Sequence, residues 1–270
     1  MAAKDYVLGT QADELARLGF QHSVWAREQR ALCARAGLGA GHAVLDLGSG
    51  PGFTTFELAA IVGPTGRVLA CDQSARFLEA LRVERDRRGI AGVETIEAAA
   101  ETLELAPASL DFVYARWLLC WLPDPGVVIE RLARFLRPGG AIVLQEYLDW
   151  GAMKLAPRDA RFDRVVQACL ESWRVAKADM DVAEKLPPIA ARAGLAVEHF
   201  MIVPRAGRPG SPEWRWIEQF FETYAAKLVP QGLLSEREHA DGLAALARRP
   251  APDERFCIPP TMADVVLRRR

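Results

Sequence analysis

The sequence predicts an α/β fold, a doubly wound and mostly parallel sheet with helices on both faces, and three observations carry that expectation. Between residues 42 and 147 the hydrophobic period switches repeatedly between about two and about 3.6 residues, the alternation of strands with helices. The first strand runs into a glycine-rich turn and straight into a helix, and the next strand ends on an acidic residue. Glycine and proline fall at 63–64, 66, 89, 92 and 138–140, between the periodic segments, where turns and helix ends need them.

Taken in order, residues 11–36 place Leu15, Leu18, Val24, Trp25, Leu32 and Cys33 at mainly helical spacing, one or two helices with an interruption near Gly19. A strand follows at 42–47, a helix at 53–62, a strand at 67–72, and a helix at 75–88 behind Ser74 as N-cap. Strands are expected at 93–98 and 110–115, a helix at 125–136 behind Asp124, and a strand at 141–147. The pattern then turns helical at 158–177 and 188–193, returns to an apolar strand at 195–203, and closes with helices at 213–228 and 235–248. The last apolar stretch, 256–267, reads as a closing strand; Pro259 and Pro260 lack a ladder N–H and confine it to an edge or a bulge.

Composition excludes several functions. Lys and Arg number 34 against 35 Asp and Glu, so no overall field draws the chain to nucleic acid or anionic lipid, and neither is an expected partner. The five cysteines, at 33, 71, 120, 169 and 257, show no C-x-x-C pairing, so they read as reduced, mostly buried thiols and no metal is expected. The first residues carry charges where a secretory leader needs an apolar run, and no window approaches the roughly 18 apolar residues of a membrane span, so a cytoplasmic location is expected.

The chemistry sits in residues 42–52, HAVLDLGSGPG, a strand running into D-x-G-x-G-x-G. Gly48, Gly50 and Gly52 let the backbone turn tightly and leave room for a ligand against bare main chain, beside the free amides of a helix start. Asp72 ends the second strand, where open parallel sheets bind ligands and where a carboxylate can accept both hydroxyls of a ribose. A nicotinamide dinucleotide fingerprint would need glycine at position 53, which is Phe53.

On these residues, segment 42–147 resembles the class I S-adenosylmethionine-dependent methyltransferase domain, in the broad branch that includes the ubiquinone-biosynthesis enzymes. VLDLGSGPG resembles the first motif of that family, VLACDQS its second, LDFVYARWLLCWLPDP its fourth, and LRPGGAIVLQEY the strand after it. The resemblance implies a Rossmann-like sheet of seven strands with the last antiparallel, S-adenosylmethionine as cofactor, and methyl transfer to a small-molecule acceptor. It implies that Gly48, Ser49, Gly50 and Gly52 line the methionine portion, with Asp46 opening the motif, that Asp72 holds the ribose, and that Gln73 lies beside the adenine. Arg116 would follow the strand forming the floor of that site. Relatives commonly carry Gly-Asp-Ala after the third strand; here residues 98–101 read Ala-Ala-Ala-Glu, which leaves the backbone of Ala100 and the side chain of Glu101 to meet the adenine edge. A looser likeness at Tyr6-Val-Leu-Gly9, Glu14, Arg17-Leu18 and Gln21-His22 implies a helical lid over the cofactor. One methyltransferase domain is expected over 1–270, as a lid at 1–36, a cofactor-binding core at 37–150, helical cap elements with one strand at 151–255, and the closing strand at 256–270.

Methyl transfer from a sulfonium is an in-line displacement, so positioning and exclusion of water supply much of the acceleration, and only some acceptors require a base. Candidate catalytic groups are Tyr6, His22 and Glu146, each with a plain structural alternative as packing anchor, helix-surface imidazole or satisfied carboxylate. Arg116 interrupts an apolar stretch and needs a carboxylate partner or a place at the mouth of the site. Trp117, Trp121 and Tyr147 are candidates for acceptor contact, while Trp214, Trp216, Phe220, Phe221 and Tyr224 either pack one helix or line a pocket for an apolar acceptor. The alternatives are a protein that binds S-adenosylmethionine without transferring its methyl or turns the scaffold to another reaction such as a cyclisation, an NAD-dependent oxidoreductase, which Phe53 disfavours, and a protein or tRNA methyltransferase, which would need a recruitment surface.

Overall fold

The structure is a computed structural model and describes residues 12–248 and 254–270. In chain order the main elements are α1 (Ala12–Ala36), β1 (Ala43–Leu47), α2 (Phe53–Val62), β2 (Arg67–Asp72), α3 (Ala75–Arg88), β3 (Val93–Glu97), β4 (Leu110–Arg116), α4 (Pro125–Phe135) and β5 (Leu136–Asp149). After these come β6 (Lys154–Ala156), α5 (Ala160–Val175), α6 (Leu186–Arg192), β7 (Leu195–Val203), α7 (Pro212–Tyr224), α8 (Glu236–Ala247), β8 (Phe256–Ile258) and β9 (Thr261–Arg269). They form two compact units, one of the residues up to Glu146 with Glu184–Met201 and Ala263–Arg270, the other of Tyr147–Ala183 and Ile202–Met262.

The first unit is built on a seven-stranded sheet in the order β3-β2-β1-β4-β5-β9-β7. The pairings β1 with β2, β2 with β3, β1 with β4 and β4 with β5 are all parallel. The chain winds outward from β1 to β3 and then returns to β4 on the other side of β1, so the carboxyl ends of β1 and β4 flank a topological switch point, the place where such sheets bind ligands. Every residue of β1 is buried, as a strand covered on both faces must be, which is why it reads as an apolar run without alternation. One face is covered by α1 and α2, whose Leu32, Cys33, Ala36, Phe56, Leu58 and Val62 pack against Val44, Val68, Phe112 and Tyr114 of the strands. Ser74 caps α3 by accepting from the amide of Phe77, and Asp124 caps α4 by accepting from that of Val127, as their positions in the sequence predict.

Several elements differ from the sequence expectation, among them the short strand β6, where none was expected. The N-terminal helix is not interrupted at Gly19; α1 runs through it, and a β-carbon there would lie 3.0 Å from the Phe53 ring, so the glycine serves close approach of α1 to α2. The closing strand is not one edge strand. It breaks at Pro259 and Pro260 into β8, which pairs antiparallel with β6, and β9, which sits inside the large sheet between β5 and β7. The prolines act as a boundary between two ladders rather than as a mark of the edge, because neither ladder needs an N–H from them. Finally, β5 begins at Leu136, ahead of the Pro138-Gly139-Gly140 turn; pairing jumps from Leu110 with Leu136 to Phe112 with Ala141, and the extra residues are thrown out as an irregularity in the strand.

In the second unit α5 packs on α8 at Gly242, where a β-carbon would fall 2.2 Å from Val165 Cγ2. Its core is aromatic: Trp150 meets Trp173 edge-on at 4.3 Å, Phe162 meets Phe221 at 4.8 Å, and Phe220 and Tyr224 stack at 5.4 Å. Trp214, Trp216 and Phe221 of α7 are buried, so this helix spends its aromatic side chains on the unit's own core. All five cysteines are free and buried, and among the described residues no helix is long and apolar enough to cross a membrane.

Two predictions concern stability. Gly242→Val forces α5 and α8 apart and should cost about 1–3 kcal/mol, read as a lower midpoint of urea unfolding; an unchanged midpoint would mean that the two helices separate freely. The second concerns Asp46, buried in β1, whose carboxylate accepts the Thr55 hydroxyl of α2 at 2.6 Å. Burial pushes its carboxyl up to about 7 despite that bond, from the ordinary 3.8. Between those two values the folded chain keeps a proton that the unfolded chain has lost, so stability relative to Asp46→Asn should fall as the pH rises from about 4 to about 7 and level off above it. Denaturant titrations of both proteins across that range check the slope, and parallel curves would show a carboxyl that titrates normally.

Candidate cofactor-binding site

At the carboxyl ends of β1 and β2 the glycine turn is held by its neighbour strand. The amides of Gly48 and Ser49 both donate to the carbonyl of Cys71, at 2.8 and 3.0 Å, and the amide of Gly50 donates to Asp72 Oδ2 at 2.8 Å. Asp72 Oδ1 accepts from the Ser74 amide at 2.8 Å, so the carboxylate ties the glycine turn to the start of α3. Burial holds the Asp72 carboxyl above its ordinary value, and the amides of Ser74, Gly50 and Gln73 oppose that shift. Gly52, at φ 93°, starts α2 so close to α3 that a β-carbon would meet Leu81 Cγ at 2.6 Å. Gly50, at φ 53°, is different: a β-carbon there would meet nothing within 4 Å, so the turn presents bare backbone to open space.

The segment after β3 lies beside this turn, since the Ala98 amide donates to the Asp72 carbonyl at 3.1 Å. Ala100 is buried there and Glu101 half-buried, while Gln73 is exposed at the end of β2. Asp46 lies beneath, committed to Thr55, and Ser49 contributes a buried hydroxyl with no hydrogen-bond partner.

On the other side of the turn, Arg116 ends β4 with its guanidinium 4.8 Å from the centre of the Trp117 ring. Its Nη2 donates to Thr54 Oγ1 at 3.3 Å and meets His22 Nδ1 at 3.1 Å. Arginine has only donors, so His22 Nδ1 must be the lone-pair nitrogen and its proton sits on Nε2, 3.8 Å from Glu57 Oε1. Burial and the Arg116 charge push His22 down to about 4, so the imidazole is neutral at neutral pH. Its ring stacks on Phe53 at 6.0 Å; the residue standing where a dinucleotide fold needs glycine is a platform for α1.

Beyond Arg116 the chain turns sharply. Trp117 is left-handed at φ 54°, an uncommon conformation for a bulky side chain, and sits edge-on to Trp25 at 5.8 Å. Glu146 holds this turn: it is buried at the end of β5, and its Oε1 accepts the amides of Leu118 and Leu119, each at 2.9 Å. Burial pushes its carboxyl up to about 7, against the hydrogen bonds it accepts from Leu119, Leu118 and Cys120. Trp121 is half-buried in the same turn, its amide bonded to the Leu118 carbonyl at 3.0 Å.

Asp46, Gly48, Ser49, Gly50, Gly52, Asp72, Gln73, Ala100, Glu101, Arg116 and His22 therefore gather at one edge of the sheet, with Trp117 and Glu146 on the adjoining turn. Gln21 lies along α1 and accepts from Arg17 Nη1 at 3.1 Å, next to the buried pair of Arg17 with Glu14. Tyr147 falls in the second unit, and Tyr6 lies outside the described residues. Sequence reasoning missed Thr54, Thr55 and Glu57. A signal existed: two hydroxyls and a carboxylate punctuate an otherwise apolar α2, all within its first five residues.

Comparison with known proteins agrees with this arrangement. Residues 45–144 match the model of a methyltransferase domain. The chain is 36% identical over 155 residues to a trans-aconitate 2-methyltransferase of Methylobacterium radiotolerans, covering 57% of this chain and 55% of that one. It is 29% identical over 127 residues to a ubiquinone/menaquinone biosynthesis C-methyltransferase of Pseudoalteromonas translucida, covering 47% and 49%. The chain thus spans about half the length of the curated relatives it matches. Among solved structures, its fold is similar to that of a putative methyltransferase from Bacillus halodurans (TM-score 0.61, 18% identity, 90% of this chain and 98% of that one). It is also similar to that of the [4+2]-cyclase SpnF (TM-score 0.59, 18% identity, 90% and 80%). The parallel sheet, the pinned glycine turn and the acidic end of β2 all fall in the matched segment, and residues 45–144 match the methyltransferase-domain family.

Proposed function

We propose that the protein transfers the methyl group of S-adenosylmethionine to a small-molecule acceptor. The observation that carries this reading is the open face of the turn at Gly50, whose amide is held by the Asp72 carboxylate, in a turn that also carries the buried, unpartnered hydroxyl of Ser49. Buried polar groups are seldom left unpaired, because each costs about 1–3 kcal/mol, so such atoms beside a bare glycine fit a ligand that brings its own hydrogen-bonding groups. The residues present suit the cofactor: Asp72 for the ribose hydroxyls, the Gly48–Gly52 backbone for the aliphatic chain, and Ala100 with Glu101 for the adenine edge. When bound, the cofactor supplies an electrophilic methyl on a sulfonium.

The rest of the reading concerns what the chain does around it. Asp72 fixes the nucleoside end and the glycine turn in one contact, so reactant geometry is inherited from the sheet. His22 offers its lone pair to Arg116, which leaves the chain's contribution as positioning rather than proton removal by that imidazole. The curated relatives carry the names of an acid and of quinones, acceptors that are small molecules, which supports the acceptor class and leaves the atom open. One observation favours a second reading, binding without methyl transfer: position 99 is alanine where family members offer an aspartate to adenine, and a cyclase shares the fold.

Calorimetric titration with S-adenosylmethionine, S-adenosylhomocysteine and NAD, each separately, tests the proposal; binding of the first two without NAD supports it, and binding of NAD alone overturns it. Asp72→Ala should weaken S-adenosylmethionine by about 1–3 kcal/mol through loss of charged hydrogen bonds, while Gly50→Val, strained at φ 53° and filling the open face, should bind worse still. Unchanged affinity in a folded Asp72→Ala variant would sink the ribose assignment. Release of S-adenosylhomocysteine during an acceptor screen separates methyl transfer from the second reading.

A further inference from the structure

The sequence demanded a partner for Arg116, and among the described residues the partners it finds are neutral. Nη2 is taken by His22 and Thr54, the ring of Trp117 lies against the guanidinium, and Nη1 is buried with nothing to donate to. No carboxylate among the described residues pairs with it. Asp46 is engaged by Thr55, and Glu57 is bonded to Arg30 at 3.0 Å while facing the far nitrogen of His22. A half-buried guanidinium with one nitrogen sequestered and no carboxylate paired to it among the described residues is costly unless an anion completes it. The orientation itself comes from α1: Phe53 beneath the ring and Glu57 at Nε2 fix the His22 tautomer that can accept from Arg116.

We propose that Arg116 binds a ligand carboxylate through its free Nη1, and that His22 is the positioning residue that holds the guanidinium for it. Guanidinium is the side chain suited to this task, since its donors lie in one plane and match the lone pairs of a carboxylate. The proposal rests on the cofactor reading above and deepens it. Two sources can supply the same chemistry, the amino-acid carboxylate of the cofactor or an acid group on the acceptor, and they are separated by ligands that carry one or the other.

The experiment is calorimetry on the full chain and on Arg116→Met, His22→Phe and His22→Asn. Methionine keeps most of the buried volume without the charge, so Arg116→Met should fold, which a thermal melt checks. The first ligand pair is S-adenosylhomocysteine and 5′-methylthioadenosine, the second of which lacks the amino-acid end. If the cofactor supplies the carboxylate, Arg116→Met weakens S-adenosylhomocysteine by about 10-fold or more and leaves 5′-methylthioadenosine unchanged, as loss of a charge-assisted hydrogen bond requires. His22→Phe should reproduce some of that loss, and His22→Asn, whose amide oxygen can accept from the guanidinium, should recover it. If the acceptor supplies it, S-adenosylhomocysteine is unaffected, while tricarballylate binds the S-adenosylhomocysteine-loaded wild type and binds the Arg116→Met and His22→Phe variants at least several-fold more weakly. Equal weakening of both nucleosides would mark Arg116 as structural and overturn the proposal, as would variants that match the wild type for all three ligands. A His22→Phe protein that behaves as wild type where Arg116→Met does not would overturn the positioning role. No binding of S-adenosylhomocysteine by the wild type would defeat the cofactor reading and this proposal together, an outcome distinct from binding that ignores Arg116.

Discussion

The first unit depends on the way the end of β2 holds the glycine turn that leaves β1. One carbonyl, that of Cys71, takes two successive amides of the turn, and the next side chain, Asp72, takes a third. Three left-handed glycines would otherwise make this the least determined stretch of the chain, because glycine loses more freedom on folding than any other residue. Bonds to the neighbouring strand convert that freedom into a fixed concave backbone, and the parallel pairing of β1 with β2 sets where the concavity lies. The same Asp72 that stitches the turn is the group proposed to hold the ribose, so altering it for binding also loosens the turn.

Around this turn the chain buries several polar side chains, and most are matched in ways that fix one element against another. Asp46 with Thr55 fastens α2 to β1. Glu146 gathers the amides after β4 and so permits the left-handed Trp117 beside the site. Deeper in the sheet, the Tyr114 hydroxyl donates to Gln145 Oε1 at 2.7 Å, and Gln145 Nε2 donates to Asp264 Oδ1 at 2.8 Å, a line of contacts across β4, β5 and β9. An acidic residue on a central strand is costly unless paired, and this pairing gives β9 a specific place next to β5. Beside these matched groups, Arg116 Nη1 and Ser49 Oγ are buried without a hydrogen-bond partner.

His22 illustrates how a residue's role is settled by its neighbours. From the sequence it is a helix histidine with the pKa range of a general base. In place, burial and an adjacent guanidinium drive it far below that range and occupy its lone pair, which makes it a fixed acceptor. The aromatic helix α7 shows the same thing in the second unit, where Trp214, Trp216 and Phe221 are consumed by packing. Side chains that look available for chemistry in a linear sequence are, in these two cases, taken by interactions between residues far apart in the chain.

The sequence by itself determined the elements from β1 to α4, the glycine turn and its acidic neighbour Asp72, because those follow from local rules: hydrophobic period, caps, and glycine where the backbone must turn left-handed. Gly19 and the pair Pro259 and Pro260 were misread from those same rules. A glycine can serve a neighbour's ring as well as a break, and a proline can separate adjoining ladders as well as mark an edge; Phe53 decided the first and the distinct pairings of β8 and β9 the second. Only the tertiary structure decided that Arg116 has no carboxylate partner among the described residues, that His22 accepts from it, and that Glu146 holds a turn. Each of these is set by groups separated by tens of residues along the chain, for which a local pattern carries no signal.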